Sequence, residues 1–325
     1  MAFSCRLERR VFNLLSTIFM LSCPGFVRSF GAIHSGSRTF NRMTIISSTV
    51  QYSVSATNDN LDGREAIEEI NIDEPSYKKN RLGKNNKNRF RQHVNPLARR
   101  FQEPAQLGPG SSNYLPDAFS DATKPLHLDV GCGKGGFILD VAENDVSKEK
   151  NYLGLEIRPS VIEFALNRLN RYSHLAGSLY YVSCNANVDL ERILGQYTGQ
   201  VGANGNASQS IEGGEISLVS IQFPDPHFKK SHEKRRVVNS LFVDTLAKYM
   251  VDGSVIFLQS DVKPVLDYMR EKFRESKYFT DDLESDNYLD ENPIGIKTER
   301  EISVLNRNLE VWRITLRRNS ILYEN

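Results

Sequence analysis

Leu128-Asp-Val-Gly-Cys-Gly-Lys-Gly-Gly136 decides the fold. The apolar run Leu126–Val130 stops at Gly131, and Gly131, Gly133 and Gly136 stand at the spacing G-x-G-x-x-G. A strand-to-helix turn of this kind lets a nucleotide-like ligand approach the backbone, because no Cβ stands in its way. Glu156 ends the next apolar run, 20 residues beyond Gly136, where an acid can accept both hydroxyls of a ribose. Dinucleotide and S-adenosylmethionine sites share that geometry. Asp129 favours the methyl donor over NAD: an acid just before the glycines suits a methionine ammonium, and no pyrophosphate has to sit beside it.

Outward from this turn, short apolar runs alternate with helical patterns. Strands are expected over Leu126–Val130, Tyr152–Leu155, Leu179–Ser183, Ser217–Phe223 and Val255–Gln259. Helices are expected over Gly135–Glu143, Pro159–Tyr172, near Leu190–Leu194, over Val237–Tyr249 and over Val262–Phe273. Pro159 suits a first helical turn, and Ile162, Ala165, Leu166 and Leu169 share one face. Such alternation means an α/β fold, a parallel sheet covered on both faces. Ile302–Leu305 and Val311–Leu316, parted by a short polar turn, read as a β-hairpin that gives the sheet an antiparallel edge.

The second informative stretch is Ile221-Gln-Phe-Pro-Asp-Pro-His-Phe-Lys-Lys-Ser-His-Glu-Lys-Arg-Arg236. Two prolines around Asp225 end the strand and fix the backbone on either side of one carboxylate. Seven of the ten residues from His227 to Arg236 are Lys, Arg or His. An acid beside a basic strip suits a polyanion that must present one particular group, which points to nucleic acid. Cys184-Asn-Ala-Asn187 ends the third strand. Asn185 there is either an adenine contact or a helix cap.

The bulk numbers sharpen this. Net charge is +1 over 325 residues, but residues 1–50 carry six Arg (6, 9, 10, 28, 38 and 42), no Lys and one acid, Glu8. The remainder holds 35 bases against 39 acids, so the basic strip after Asp225 is local. Residues 1–50 read as an organellar targeting segment, plastid ahead of mitochondrion. Residues 51–88 read as a disordered polar arm, and residues 89–325 as the catalytic domain, with a low-complexity surface insertion at about 199–214. No apolar run reaches the roughly 18 residues of a spanning helix, so no membrane role is expected after targeting. Cys132 and Cys184 stand alone, without metal-ligand spacing, and no metal site is expected.

Asp129-Val-Gly-Cys-Gly, Gly154-Leu-Glu-Ile-Arg158, Cys184-Asn-Ala-Asn187, the Phe223–Arg236 segment, Gln259-Ser-Asp261 and Thr298-Glu-Arg-Glu301 together resemble the bacterial-type tRNA (guanine-N7)-methyltransferases. The resemblance runs from about Arg89 to Arg317. Arg91-Gln-His-Val-Asn-Pro-Leu97 and Ile221-Gln-Phe are similar to the cyanobacterial and plastid subtype. The resemblance implies a Rossmann-like class I S-adenosylmethionine-dependent methyltransferase with a mostly parallel seven-stranded sheet. It implies methylation of N7 of guanine 46 in the tRNA variable loop, with no obligate protein partner. Asp129, Gly131, Gly133, Glu156, Ile157, Asn185 and Ala186 would hold S-adenosylmethionine, and Asp225 would sit at the reaction centre. Asp225, Lys229, Asp261, Thr298 and Glu301 would contact the substrate, and Lys230, Arg235 and Arg236 would neutralise phosphates. Arg91 and His93 would add a second basic contact.

Two positions depart from the family pattern: His227 stands where Trp is usual, and Asn185 where many relatives have Asp. The rival readings are a methyltransferase acting on another RNA or a protein, a nicotinamide-dependent oxidoreductase, and a tRNA-binding relative without activity. The oxidoreductase would share the glycine turn and Glu156, but gives no reason for Pro-Asp-Pro followed by a basic run.

Overall fold

The structure, a computed structural model, describes residues 43–46, 49–52, 93–202, 212–283 and 286–324. The chain divides into two units, 1–87 and 88–325. In the first, β1 (Met43–Ile46) and β2 (Thr49–Tyr52) form an antiparallel hairpin with Met43 opposite Tyr52. The rest of the expected leader and arm lies outside the described residues, as do residues 89–92 and the middle of the expected insertion.

The second unit is built on seven strands: β3 (Leu126–Val130), β4 (Asn151–Glu156), β5 (Leu179–Ser183), β6 (Ile216–Gln222), β7 (Val255–Ser260), β8 (Phe279–Asp281) and β9 (Trp312–Arg318). Their order is β5-β4-β3-β6-β7-β9-β8. The first five run parallel, and β9 lies antiparallel between β7 and β8. From β3 the chain winds outward through β4 to β5, then returns to β6 on the other side of β3. The strand order therefore reverses between β3 and β6, and the crevice at the carboxyl ends of such strands is where ligands bind.

Six helices join the strands: α1 (Gly136–Asn144), α2 (Pro159–Leu169), α3 (Ala186–Tyr197), α4 (Ser240–Tyr249), α5 (Lys263–Arg274) and α6 (Glu299–Leu305). Alternate strand residues feed two apolar clusters, as the period of two requires. Leu179 and Tyr181 of β5 pack with Phe137, Ile138 and Ile162 of α1 and α2. Val182 turns the other way, into a cluster with Leu190, Phe242, Leu246 and Leu266 of α3, α4 and α5. Helix starts follow local chemistry: the side chains of Asn185, Asn239 and Thr298 accept backbone N–H groups of α3, α4 and α6, and Pro159 opens α2.

One expectation is corrected. Ile302–Leu305 is not a hairpin strand but the end of α6. The Thr298 hydroxyl accepts the Glu301 N–H, and Glu299 and Glu301 occupy the first turn, which is helix-start chemistry that outweighs the β-branched residues following it. The antiparallel edge is real, but β9 makes it with the distant β8. Three helices also differ in extent: α3 is longer than expected, α2 ends at Leu169, and α4 begins only after its Asn239 cap.

Candidate functional site

At the end of β3, Asp129 is buried and accepts the Ser220 hydroxyl at 2.7 Å and the Gln222 amide at 3.4 Å. Burial pushes its carboxyl up to about 6, while those two hydrogen bonds pull the other way and the nearby Glu156 adds to the rise. The turn that follows is pinned to β4, because the N–H groups of Gly131 and Cys132 both donate to Leu155 O, at 2.8 and 2.9 Å. Gly131 has φ 82°, and open space surrounds the point where its Cβ would stand. Gly133 is equally open. The backbone is thus bare where a ligand would lie against it.

Glu156, at the end of β4, is held by a residue that carried no site role in the sequence. Arg158 donates its backbone N–H and Nε to Oε1 at 3.0 and 2.8 Å, and Nη2 to Oε2 at 3.0 Å. These bonds raise the guanidinium pKa above its usual value. They also fix the carboxylate, and Oε2 keeps room for a further donor. Asn185 acts as the α3 cap, its Oδ1 accepting the Asn187 N–H at 3.1 Å. Its amide nitrogen donates to Pro96 O and Phe101 O at 3.2 and 3.0 Å, which ties the segment before β3 across the end of β5.

The loop after β6 is as confined as its prolines predict. Phe223 and His227, on either side of Pro-Asp-Pro, have φ of 50° and 41°, a strained region for bulky residues. The Phe223 N–H donates to Gln259 O at 2.8 Å. Asp225 is 37% exposed, and its Oδ1 lies 2.7 Å from His93 Nδ1. Burial lowers the His227 pKa, against the pull of Asp225. Lys229 is exposed, and Lys230 opens a short 3-10 helix ending at Arg235. Arg235 Nε is buried with no partner among the described residues. Arg236 stacks its guanidinium 4.1 Å from the centre of the Tyr268 ring.

One cleft gathers the two motifs. Gly131, Glu156, Ile157, Asn185 and Ala186 line it together with Asp225, His227 and Arg235. Asp129, Gly133, Lys229, Lys230, Arg236, Asp261, Thr298 and Glu301 are not among its lining residues. Asp261 instead pairs with Arg300 at 2.5 Å. Glu301, expected as a substrate contact, has 0% exposure. Its carboxylate accepts Arg313 Nη2 at 2.8 Å, Gln259 Nε2 at 3.2 Å and Asn292 Nδ2 at 3.1 Å. A guanidinium as buried as that of Arg313 requires such a partner.

The donor set fits S-adenosylmethionine. Glu156 lines the cleft with the bare Gly131, and Asp129 lies buried just before that turn, an acidic setting that suits a cationic amino-acid end and a ribose and opposes a pyrophosphate. Fold and site together define an S-adenosylmethionine-dependent methyltransferase of Rossmann-like fold. The family model "Putative methyltransferase" matches residues 123–314. A tRNA (guanine-N(7)-)-methyltransferase of Prochlorococcus marinus (strain NATL1A) is 36% identical over 240 residues, covering 73% of this chain and 100% of its own. One of Synechococcus elongatus is 42% identical over 225 residues, covering 69% of this chain and 94% of its own. A Nostoc sp. relative of the same name is 38% identical, covering 71% and 95%. The chain belongs to the tRNA (guanine-N7)-methyltransferase family. Among the described residues no helix is long and apolar enough to cross a membrane, and no cluster of side chains could hold a metal ion.

Proposed function

We propose that this protein transfers the methyl group of S-adenosylmethionine to N7 of a guanine in tRNA, guanine 46 of the variable loop. The observation that carries the reading is the placement of Asp225 in the same cleft as Gly131 and Glu156. The cyanobacterial relatives, whose names give guanine-N7 methylation of tRNA without a position, support the reaction.

Asp129 would hold the ammonium of the cofactor and Glu156 its ribose hydroxyls, with Ile157, Asn185 and Ala186 beside the base. When bound, the cofactor supplies a methyl group on a cationic sulfur. N7 of guanine has a free lone pair, so no proton need be removed before attack, and the protein acts mainly by alignment. Methylation makes the base cationic, and the Asp225 carboxylate favours that charge. Asp225 can also accept N1–H and N2–H of guanine, a pattern adenine lacks. Lys229, Lys230, Arg235 and Arg236 would meet phosphates, positioning the RNA and making binding salt-sensitive. Asp261 and Thr298 would form a second wall of the substrate site, with the buried Glu301 supporting it from behind through Arg313 and Gln259. The Arg-rich first fifty residues and the cyanobacterial relatives favour a plastid location, with the mitochondrion as the alternative.

The test is transfer of labelled methyl to unmodified tRNA, followed by nucleoside mapping. Label in 7-methylguanosine, lost with a guanine-46-to-adenine tRNA and with Asp225→Ala, is the expected result. Cofactor binding with no transfer to any tRNA would favour the binding-protein reading.

A further inference from the structure

The cofactor acid and the α6 segment are joined by two glutamines, of which Gln222 also lines the cleft. Gln222, the last residue of β6, donates its amide to Asp129 Oδ1 at 3.4 Å. Its own oxygen accepts Gln259 Nε2 at 2.6 Å. Gln259, on β7, shares that nitrogen with Glu301 Oε2 at 3.2 Å and accepts Arg313 Nε at 3.1 Å on its oxygen. Arg313, on β9, closes the loop by donating to Glu301 Oε1 at 2.8 Å. The chain therefore runs across β3, β6, β7 and β9 to the first turn of α6, over strands that are direct neighbours.

Both amides have one workable orientation. An ionised carboxylate only accepts and a guanidinium only donates. Gln222 must turn its NH2 to Asp129, so its oxygen faces Gln259. Gln259 must turn its NH2 to Gln222 and Glu301, so its oxygen faces Arg313. A flip would oppose like groups at two contacts for the half-buried Gln222 and at three for the buried Gln259, where unmatched polar groups are heavily penalised. The longest step is the one at Asp129, so whatever binds that carboxylate acts on the loosest joint. Gln222 also leads directly into the loop that carries Asp225, and the backbone of Gln259 anchors that loop at Phe223.

We infer that Gln222 and Gln259 are positioning residues which couple occupation of the cofactor site at Asp129 to the start of α6, the Thr298–Glu301 segment assigned above to the substrate side. This rests on the proposed reading of the cleft as a tRNA methyltransferase site. It adds that the two ligands bind cooperatively through these amides, beyond any direct contact between cofactor and base.

The experiment titrates S-adenosylhomocysteine, which keeps the ammonium but has no methyl to give, into the full-length protein with and without saturating unmodified tRNA. In the wild type, tRNA is expected to tighten the homocysteine ligand at least about fivefold. Gln222→Met keeps volume and cuts the chain. It should bring that ratio close to one while the melting temperature holds; because Gln222 also lines the cleft, the ratio and not the affinity of either ligand alone is the readout. Gln222→Asn, too short to span the gap, makes the same cut should the methionine variant fail to fold. Asn292→Ala removes a different hydrogen bond to Glu301 and should keep the coupling. A wild-type ratio of one, or an unchanged ratio in both Gln222 variants, overturns the inference even when 7-methylguanosine is formed. Absence of both tRNA binding and 7-methylguanosine overturns the functional reading, and the inference with it.

Discussion

His93 Nδ1 lies 2.7 Å from Asp225 Oδ1, although 132 residues separate the two in sequence. The pair sits at the mouth of the cleft, and Val94 and Pro96, just after His93, line the wall. A guanine that uses both oxygens of Asp225 must therefore share Oδ1 with the imidazole or displace it. His93→Ala should mainly change KM for tRNA, with kcat for bound substrate held within about threefold. Steady-state kinetics on unmodified tRNA decide this, and an equal fall in kcat and kcat/KM would make His93 part of the chemistry instead.

Asp225→Asn keeps the shape of the side chain and removes its charge. If that carboxylate stabilises the methylated base, turnover should fall about 100-fold, while S-adenosylhomocysteine still binds as it does to wild type. Single-turnover rates measured beside calorimetric titration separate the two effects.

Asp129 gives a pH signature. Its folded pKa of about 6 lies above the ordinary 3.8 because burial disfavours the charged form. The folded state thus holds an extra proton between those values, and stability falls as pH rises through that window, by about 3 kcal/mol for this group alone. A ligand ammonium demands the ionised form, so affinity for S-adenosylhomocysteine should drop as pH falls below about 6. Titrations at pH 5 and pH 7 should show a difference that Asp129→Asn removes.

The clamp on Glu156 makes a fourth case. Arg158→Met removes the two guanidinium donors and leaves the carboxylate only the backbone N–H on Oε1. Cofactor affinity should weaken about tenfold, since hydrogen bonds to charged groups are the stronger kind. Equilibrium binding of the wild-type and variant proteins is sufficient to show it.

Glu301 and Arg313 test structure against function. Removing either alone strands a buried charge, a loss of about 3–5 kcal/mol, or roughly 10 °C in melting temperature for a domain of this size. The double change Glu301→Met with Arg313→Met should recover most of that stability. It should not recover tRNA methylation if the α6 segment serves the substrate. Thermal melts and methyl-transfer assays on the same preparations give both answers.

The sequence exposed what is local and periodic. The spans of β3 and β5 follow from their apolar runs, and the glycine turn and the Pro-Asp-Pro loop from their own chemistry. What it concealed depends on distance or on competing local signals. At three residues, β8 is too short to show a period, and it becomes a strand only because β9 reaches it. Ile302-Ser-Val-Leu305 looks β-prone until the capping of Thr298 is weighed. Arg158 stands two residues after Glu156, and no helical or strand spacing announces that pair. Gln222 and Gln259 look like ordinary strand ends, and their contact exists only because β6 and β7 are neighbours.

The left-handed backbone at Phe223 and His227 sets melting and turnover against each other. Each such residue stores about 1–3 kcal/mol, which the rest of the domain supplies to keep the loop drawn tight. Glycine at either site would release that tension and give a protein that resists heat better. The same release would let the carboxylate wander, so a screen for thermal resistance would favour glycine here and pass over its slower catalysis.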